Sequence, residues 1–407
     1  GHVIDLDSER LIDEVIVPIM NCPRSFTRYG VVEINFHSGP IILKKILNSL
    51  LSAGARPAEP GEFSKRAFLN GRIDLVQAEA LVELIRSKSE KSWEASFSHL
   101  AGDLSQKINV IKDHLVEISA LIEVSLDFPE EELEVIKNKE LLEKIVRCES
   151  EIFQLVESFQ KGKVMREGVH ITLAGRPNVG KSSLMNAMLQ ENRVIVSPDP
   201  GTTRDTIEEM VQLDGFAVNL IDTAGLRDVE NTIEIKGVER TNQAIEDSDV
   251  IVFLFDGSEP ITDEDQILLD RFRDDSRVVY VINKCDKPIK IHLQKIPDLL
   301  NGKSPIRISA KEGTGLEDLR DVMVSKMEHR FDKISDGPVL TLERHKWLLD
   351  QALSDLKKSK ESMENQMSRE FVSVDVRNAM ETLKEITGES TSEEVLNQIF
   401  SRFCIGK

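Results

Sequence analysis

Gly175-Arg176-Pro177-Asn178-Val179-Gly180-Lys181-Ser182-Ser183 is the stretch that decides the fold of this chain. It fits G-x-x-x-x-G-K-[ST], in which glycine-rich backbone cradles phosphate oxygens. The flanks suit that chemistry. Val169 to Ala174 is a short apolar run of strand character, and Ser183 to Leu189 begins a helix. The loop therefore opens a helix N-terminus, where unpaired N–H groups and the positive end of the dipole favour an anion. In such a loop Lys181 reaches the β- and γ-phosphates as a point charge, and the Ser182 hydroxyl is a ligand for Mg²⁺. A pattern this short also arises by chance before ordinary helices, so segments further along must decide it.

Those segments agree. Ser197-Pro198-Asp199-Pro200-Gly201-Thr202-Thr203-Arg204-Asp205 can offer Thr203 as a second Mg²⁺ ligand, in a loop that orders around a γ-phosphate. Asn219-Leu220-Ile221-Asp222-Thr223-Ala224-Gly225 ends a strand with D-x-x-G, so that Asp222 would hold Mg²⁺ through water and the Gly225 N–H would meet the γ-phosphate. Val281-Ile282-Asn283-Lys284-Cys285-Asp286 ends another strand with N-K-x-D. The Asp286 carboxylate can accept from guanine N1–H and N2–H₂, which adenine cannot supply. Ile308-Ser309-Ala310-Lys311 can then place a backbone N–H on guanine O6. Each element alone is weak. Their order, and their place at strand ends where doubly wound sheets bind ligands, point to a site for GTP and GDP.

The rest of the chain frames this unit. Apolar runs at 169–174, 216–221, 249–255, 278–283 and 305–309 alternate with helical runs, which predicts a P-loop GTPase domain over 166–335 with a doubly wound, mostly parallel sheet. Before it, Ala78, Leu81, Val82, Leu84 and Ile85, and then Ile108, Ile111, Leu115, Ile118, Leu121 and Ile122, mark long amphipathic helices that break at Asp127-Phe128-Pro129. A further helix is predicted from Glu130 through Phe153, with Leu155 near its end. After the unit, helices are predicted over Leu342–Gln366, Val374–Ile386 and Ser392–Phe400. Helix on both sides makes the GTPase unit an insertion into a discontinuous all-α domain, 74–165 with 336–407. Residues 1–73 read as a small α+β domain. It has strands at Leu11–Ile19 and Gly30–Phe36, a helix at Ile41–Ala53, and an extended proline-rich loop at Arg56–Phe63.

A net charge of −19 over 407 residues excludes holding nucleic acid by bulk electrostatics, so any such contact is local or borrowed from a partner. No apolar run is long enough to span a membrane. Cys22, Cys148, Cys285 and Cys404 lack C-x-x-C spacing, which fits a reducing cytoplasm and no structural zinc. The chain opens on Gly1-His2, and a preceding amino-terminal piece is expected.

Three further stretches complete a family pattern: Pro60-Gly61-Glu62-Phe63-Ser64-Lys65-Arg66-Ala67-Phe68-Leu69-Asn70-Gly71, Asp127-Phe128-Pro129-Glu130-Glu131, and the terminal Phe403-Cys404-Ile405-Gly406-Lys407. With them, nearly the whole chain resembles the MnmE (TrmE) family of tRNA uridine-modification GTPases. The resemblance implies a folate-binding, dimer-forming amino-terminal domain, here incomplete. It implies a cytoplasmic homodimer that joins an MnmG (GidA)-type flavoprotein in a heterotetramer, with tRNA held mostly through that partner and no membrane. GTP hydrolysis, stimulated by K⁺ when GTPase domains pair, would serve addition of an aminomethyl-type or carboxymethylaminomethyl group at carbon 5 of the wobble uridine.

By motif position, Asn178 matches the side-chain K⁺ ligand, with Ser197, Asp199 and Thr202 completing that shell, and Ser182 and Thr203 match the Mg²⁺ ligands. Glu234 matches the glutamate that orients the attacking water, since Leu226 stands where other GTPases carry glutamine. Glu33, Arg72 and Lys407 match positions that bind a tetrahydrofolate derivative, either 5-formyl or methylene. Cys404 is a candidate nucleophile; on chemistry alone, a small buried residue is an equal reading. Two stretches depart from the family: Ser25-Phe26-Thr27-Arg28-Tyr29-Gly30 where it has S-[YF]-T-G-E-D, and His37-Ser38-Gly39 where it has H-G-G. A GTP-gated assembly scaffold would share the nucleotide motifs, but it has no use for the terminal cysteine.

Overall fold

The structure is a computed structural model that describes residues 1–6, 8–127, 131–192, 208–222, 245–291, 300, 304–331 and 337–406. The chain divides into two compact units: Gly1–Ile85, Phe97–Ile152 and Trp347–Lys407 form one, Arg86–Ser96 and Phe153–Lys346 the other.

Among the described residues the chain begins with strands β1 (His2–Ile4), β2 (Leu11–Glu14), β3 (Ile19–Met20) and β4 (Val31–Val32). Helices α1 (Pro40–Ser52), α2 (Glu62–Leu69), α3 (Leu75–Arg86), α4 (Glu90–Ala101), α5 (Asp103–Asp127) and α6 (Glu131–Glu167) follow. The predicted strand Leu11–Ile19 is broken. β2 pairs antiparallel with β1, Ile16 bridges Asn35, and only Ile19 and Met20 pair with β4. Pro18 lies at the break, because proline has no N–H to give the ladder; its carbonyl instead accepts from Glu33 N at 3.0 Å. The same break reduces the Gly30–Phe36 run to β4 and the Asn35 bridge. α1 starts on Pro40, whose missing N–H costs nothing in a first turn.

The first unit's helices bury stripes at heptad spacing. In α5 these are Leu104, Ile108, Ile111, Leu115, Ile118 and Ile122, all fully buried. α5 packs against a late helix, Arg369–Thr387, whose Val372, Val376, Ala379, Leu383 and Ile386 repeat the same spacing. The helix predicted to end near Leu155 continues to Glu167, because Phe159 and the buried Gly162 keep the stripe in phase, while Val164 joins the core of the sheet. Gly168, at φ +88°, stops it one residue before the next strand.

The second unit is built on β5 (Val169–Ala174), α7 (Lys181–Asn192), β6 (Glu208–Leu213), β7 (Phe216–Asp222), β8 (Val250–Asp256), α8 (Asp263–Phe272), β9 (Val278–Asn283), β10 (Ile306–Arg307) and α9 (Leu316–Phe331). The sheet order is β10-β9-β8-β5-β7-β6, parallel except for β6. β6 is an addition to the predicted strands, and Asp214-Gly215 is the signal that marks it. Both residues have positive φ, 48° and 81°, the requirement of a two-residue hairpin turn. β10 is shorter than the run at 305–309, since Ile308 and Ser309 already turn into the loop.

Alternation divides the sheet's two faces. Val250, Val252 and Leu254 of β8 join a core with Ile171, Leu173 and the Leu184 and Met188 side chains of α7. Ile251, Phe253 and Phe255 join another with Tyr280 and the Leu269 and Phe272 side chains of α8. The chain then ends in α10 (Glu343–Glu364), α11 (Arg369–Thr387) and α12 (Glu393–Phe400), close to the predicted spans.

Candidate nucleotide site

β5 has β7 on one side and β8 on the other, so successive connections leave it in opposite directions. A doubly wound sheet opens its crevice at that switch point, beyond the strand C-termini. The loop Gly175–Gly180 lies there, between β5 and α7. Gly175 and Gly180 are required by space as well as by their φ of 142° and 102°. A Cβ at Gly175 would meet Leu254 O at 2.6 Å, and one at Gly180 would meet Asn283 Nδ2 at 2.2 Å.

The loop is braced by the residues the motifs single out. Lys181 Nζ donates to Gly175 O at 2.8 Å and Arg176 O at 2.9 Å, curling the ammonium over the loop. Ser182 Oγ donates to Asp222 Oδ2 at 2.7 Å, bringing together a hydroxyl and a carboxylate from two motifs. Asn283, 2% exposed, donates from Nδ2 to Val179 O at 2.9 Å and accepts from Ala310 N at 3.0 Å. One amide thus ties the phosphate loop to the Ser309-Ala310-Lys311 loop. Asp286 accepts from Ser309 Oγ at 2.7 Å, and that bond holds its carboxyl below the usual carboxylate range. Asn178 sits at φ 64°, exposed, with its carbonyl held by Lys284 Nζ at 2.7 Å. Its side-chain amide makes no hydrogen bond among the described residues. Ser183 and Lys311 are exposed at the same loops.

Three acidic residues outside the motif reading, Asp256, Glu259 and Asp265, belong to this brace. Asp256, buried at the end of β8, takes Lys284 Nζ at 2.6 Å. Burial pushes its carboxyl up, but the bonds from Lys284 and Ser258 outweigh that, so the net direction is down. Its signal was a strand ending in Asp256-Gly257 at the ligand edge of the sheet. Arg176 pairs with Glu259 at 2.6 Å and lies 3.3 Å from Asp265. Asp265 is also the far half of a capping box with Thr262, readable as T-x-x-D before α8. Ser197, Pro198, Asp199, Pro200, Gly201, Thr202, Thr203, Thr223, Ala224, Gly225 and Glu234 lie outside the described residues, as does Lys407.

In the first unit, Glu33, Arg72 and Cys404 are exposed, and among the described residues their side chains make no hydrogen bond or ion pair. Exposure removes the buried-residue reading of Cys404. Cys148 differs: it is buried, and burial pushes its thiol up to about 11. Cys404 and Ile405 are anchored on the P-G-E-F stretch. Pro60 bridges Ile405, Gly61 N donates to Cys404 O at 3.5 Å, and a Cβ at Gly61 would meet Phe400 O at 2.6 Å. Phe400 and Phe403 pack with Ala67, Leu75 and Leu396 in one cluster.

Comparison with known proteins identifies the family. Residues 75–404 fit the family model of the MnmE helical domain, and residues 1–72 that of the GTP-binding protein TrmE N-terminus. The tRNA modification GTPase MnmE of Acetivibrio thermocellus is 41% identical over 407 residues, covering 100% of this chain and 88% of that protein. The protein of the same description from Alkaliphilus oremlandii is 41% identical over 407 residues, with the same coverage. Among solved structures, the G domain of the T. maritima FeoB iron transporter is 27% identical, covers 39% of this chain and 98% of its own, and has a TM-score of 0.30. With family models spanning both its amino-terminal part and its helices, and full-length relatives at this identity, the chain belongs to the MnmE (TrmE) family of tRNA modification GTPases.

Proposed function

We propose that this GTPase hydrolyses GTP with K⁺ and Mg²⁺ at the loops around Lys181, as a homodimer whose GTPase domains pair. With an MnmG (GidA)-type flavoprotein it would modify carbon 5 of the wobble uridine of certain tRNAs. The observation that carries this reading is the state of Asn178: an exposed residue at φ 64°, its carbonyl held by Lys284, its amide making no hydrogen bond among the described residues. That leaves a side-chain oxygen at the phosphate loop for a monovalent cation. The Ser182 hydroxyl and Asp222 carboxylate, 2.7 Å apart, are a hard donor pair that suits Mg²⁺.

When bound, these cations neutralise charge spreading over the β- and γ-phosphates in the transition state. The chain's own part is to place donors in advance. The α7 N-terminus and Lys181 receive phosphate oxygens, and Asp286 accepts from the guanine edge once Ser309 yields it. Ser197, Asp199, Thr202 and Thr203 would complete the cation shells, and Glu234 would orient water.

The division into 1–73, 74–165 with 336–407, and 166–335 is part of the same proposal. So is a folate held by Glu33, Arg72 and Lys407 beside Cys404. Exposed Ile4, Leu11, Ile19 and Val32 on the amino-terminal strands, with Ile16 between two of them, support pairing with a second copy. The test is GTP turnover with K⁺ replaced by Na⁺ at constant ionic strength. A fall of about tenfold or more, abolished in Asn178→Ala, is expected; equal rates in both salts would refute the cation mechanism.

A further inference from the structure

The P-G-E-F stretch has no part in the nucleotide chemistry, yet it gathers an unusual surface. Within the first unit, Arg28 Nη1 donates to Asn70 O at 2.8 Å, Asn70 Nδ2 donates to Thr27 O at 2.7 Å, and Pro60 bridges Ile405. Residues 21–30, 56–72 and 401–406 thereby become neighbours, and they carry seven arginines and lysines against two glutamates. In a chain of net charge −19 this is an island of opposite sign. A polyanion repelled by the bulk of the molecule has to be met at such an island.

The island is shaped. Arg56 forks onto Glu62, with Nη1 and Nη2 at 2.9 and 2.7 Å from its two oxygens, and Arg66 Nη2 reaches the same carboxylate at 2.5 Å. One carboxylate cannot take every N–H of two guanidiniums, so oriented donors remain. A cavity of about 230 Å³ opens between Arg56, Ala58, Glu62, Phe63 and Arg66. At it Tyr29 and Phe63 are 49% and 38% exposed, and the Arg66 guanidinium lies 5.9 Å over the Tyr29 ring. Arginine forks bind phosphate, while exposed rings and arginine planes accept unstacked bases. A free anion would use the arginines and leave the rings without a role.

We infer that the surface of Arg56, Arg66, Tyr29 and Phe63 is a platform for single-stranded RNA, laid beside the exposed Cys404. The inference rests on the proposed role in tRNA modification, in which the unpaired loop carries the uridine. It is tested by fluorescence anisotropy of a labelled RNA hairpin with a loop of about seven nucleotides, titrated with the full chain at several KCl concentrations. The double variant Arg56→Gln/Arg66→Gln is expected to weaken binding about tenfold and flatten the salt slope by about 1.4, roughly 0.7 for each phosphate that is no longer neutralised. Phe63→Ala is expected to weaken it about fivefold at an unchanged slope.

GTP turnover without RNA stays at the wild-type value in both, and Phe63→Ala melts as wild type; the double variant melts slightly lower because it loses the Glu62 ion pairs, but it stays folded at the temperature of the titration. Unchanged hairpin binding in the double variant would overturn the platform. So would an equal loss for a fully paired duplex, or displacement of the hairpin by inorganic phosphate or a folate at stoichiometric amounts. Cells whose only copy is the double variant separate the two claims. Loss of wobble modification together with hairpin binding supports the platform. Full modification with wild-type binding removes the platform alone, and a wild-type chain that neither binds the hairpin nor restores modification removes the tRNA reading itself.

Discussion

Lys181, Ser182, Asp222, Asn283, Lys284, Asp286 and Ser309 all hold partners within the second unit, whereas among the described residues the side chains of Glu33, Arg72 and Cys404 hold none. The strands behind the two sets differ in the same sense. β7, β8 and β9 are buried along their whole length, while the short amino-terminal strands expose Leu11 at 61% and Ile19 at 69%. A buried sheet ends in loops whose polar groups must find one another, because each group left unpaired away from water costs about 1–3 kcal/mol. Exposed strands impose no such demand. One region is preorganised; in the other, the candidate residues Glu33, Arg72 and Cys404 are left open to solvent.

The largest expected effect tests the preorganised side. Lys181→Ala removes the ammonium that the loop carbonyls hold, and GTP turnover should fall about 10²–10³-fold, measured as phosphate release at saturating nucleotide. A fall of under about tenfold would mean that the brace, and not the charge, matters. Next, Ile16→Glu/Ile19→Glu on the open side should weaken self-association about a hundredfold, read by sedimentation across protein concentration, because burying each isoleucine is worth about 1.5–3 kcal/mol. The monomer's melting should be unchanged, since neither side chain contributes to a core.

The smallest effect concerns Glu62, whose carboxyl is held down at about 2 from 4.5, first by the Arg56 fork, then by Glu59 N and Arg66. A depressed folded value means stability that is present above about pH 4.5 and lost as pH falls toward about 2. Solvent screening reduces it to about 1 kcal/mol. Glu62→Gln should therefore lower stability at neutral pH by about that amount and remove this part of the acid sensitivity, followed by chemical denaturation at several pH values.

Much of the second unit was legible because its signals are local. An unbroken apolar run over Val250 to Phe255 requires both faces buried, and G-x-x-x-x-G-K-S can only be a turn into a helix. β6 escaped because Glu208-Glu209-Met210-Val211-Gln212-Leu213 is an edge strand, half polar, and only its Asp214-Gly215 turn announces it. α6 outran its predicted end because Gly162, which disfavours helix by itself, is kept in it by packing, where a Cβ would run into the Leu340 backbone. In the amino-terminal unit a β-rich composition was visible, but its register was not. Pro18 and the cross-chain bridge from Ile16 to Asn35 set where pairing stops, and such pairing has no local signature.

The sequence by itself determined the nucleotide motifs and the order of elements that carries them, because those motifs are contiguous and their geometry is set by short-range backbone preference. Only the tertiary structure decided which of these groups hold one another. Asp256 reached through Lys284 to the Asn178 carbonyl, Asn283 tied two loops more than a hundred residues apart in order, and Pro60 lay beside Ile405 at the far end of the chain. Contacts between residues so distant in sequence depend on how whole strands and helices pack, and that packing is a property of the assembled core.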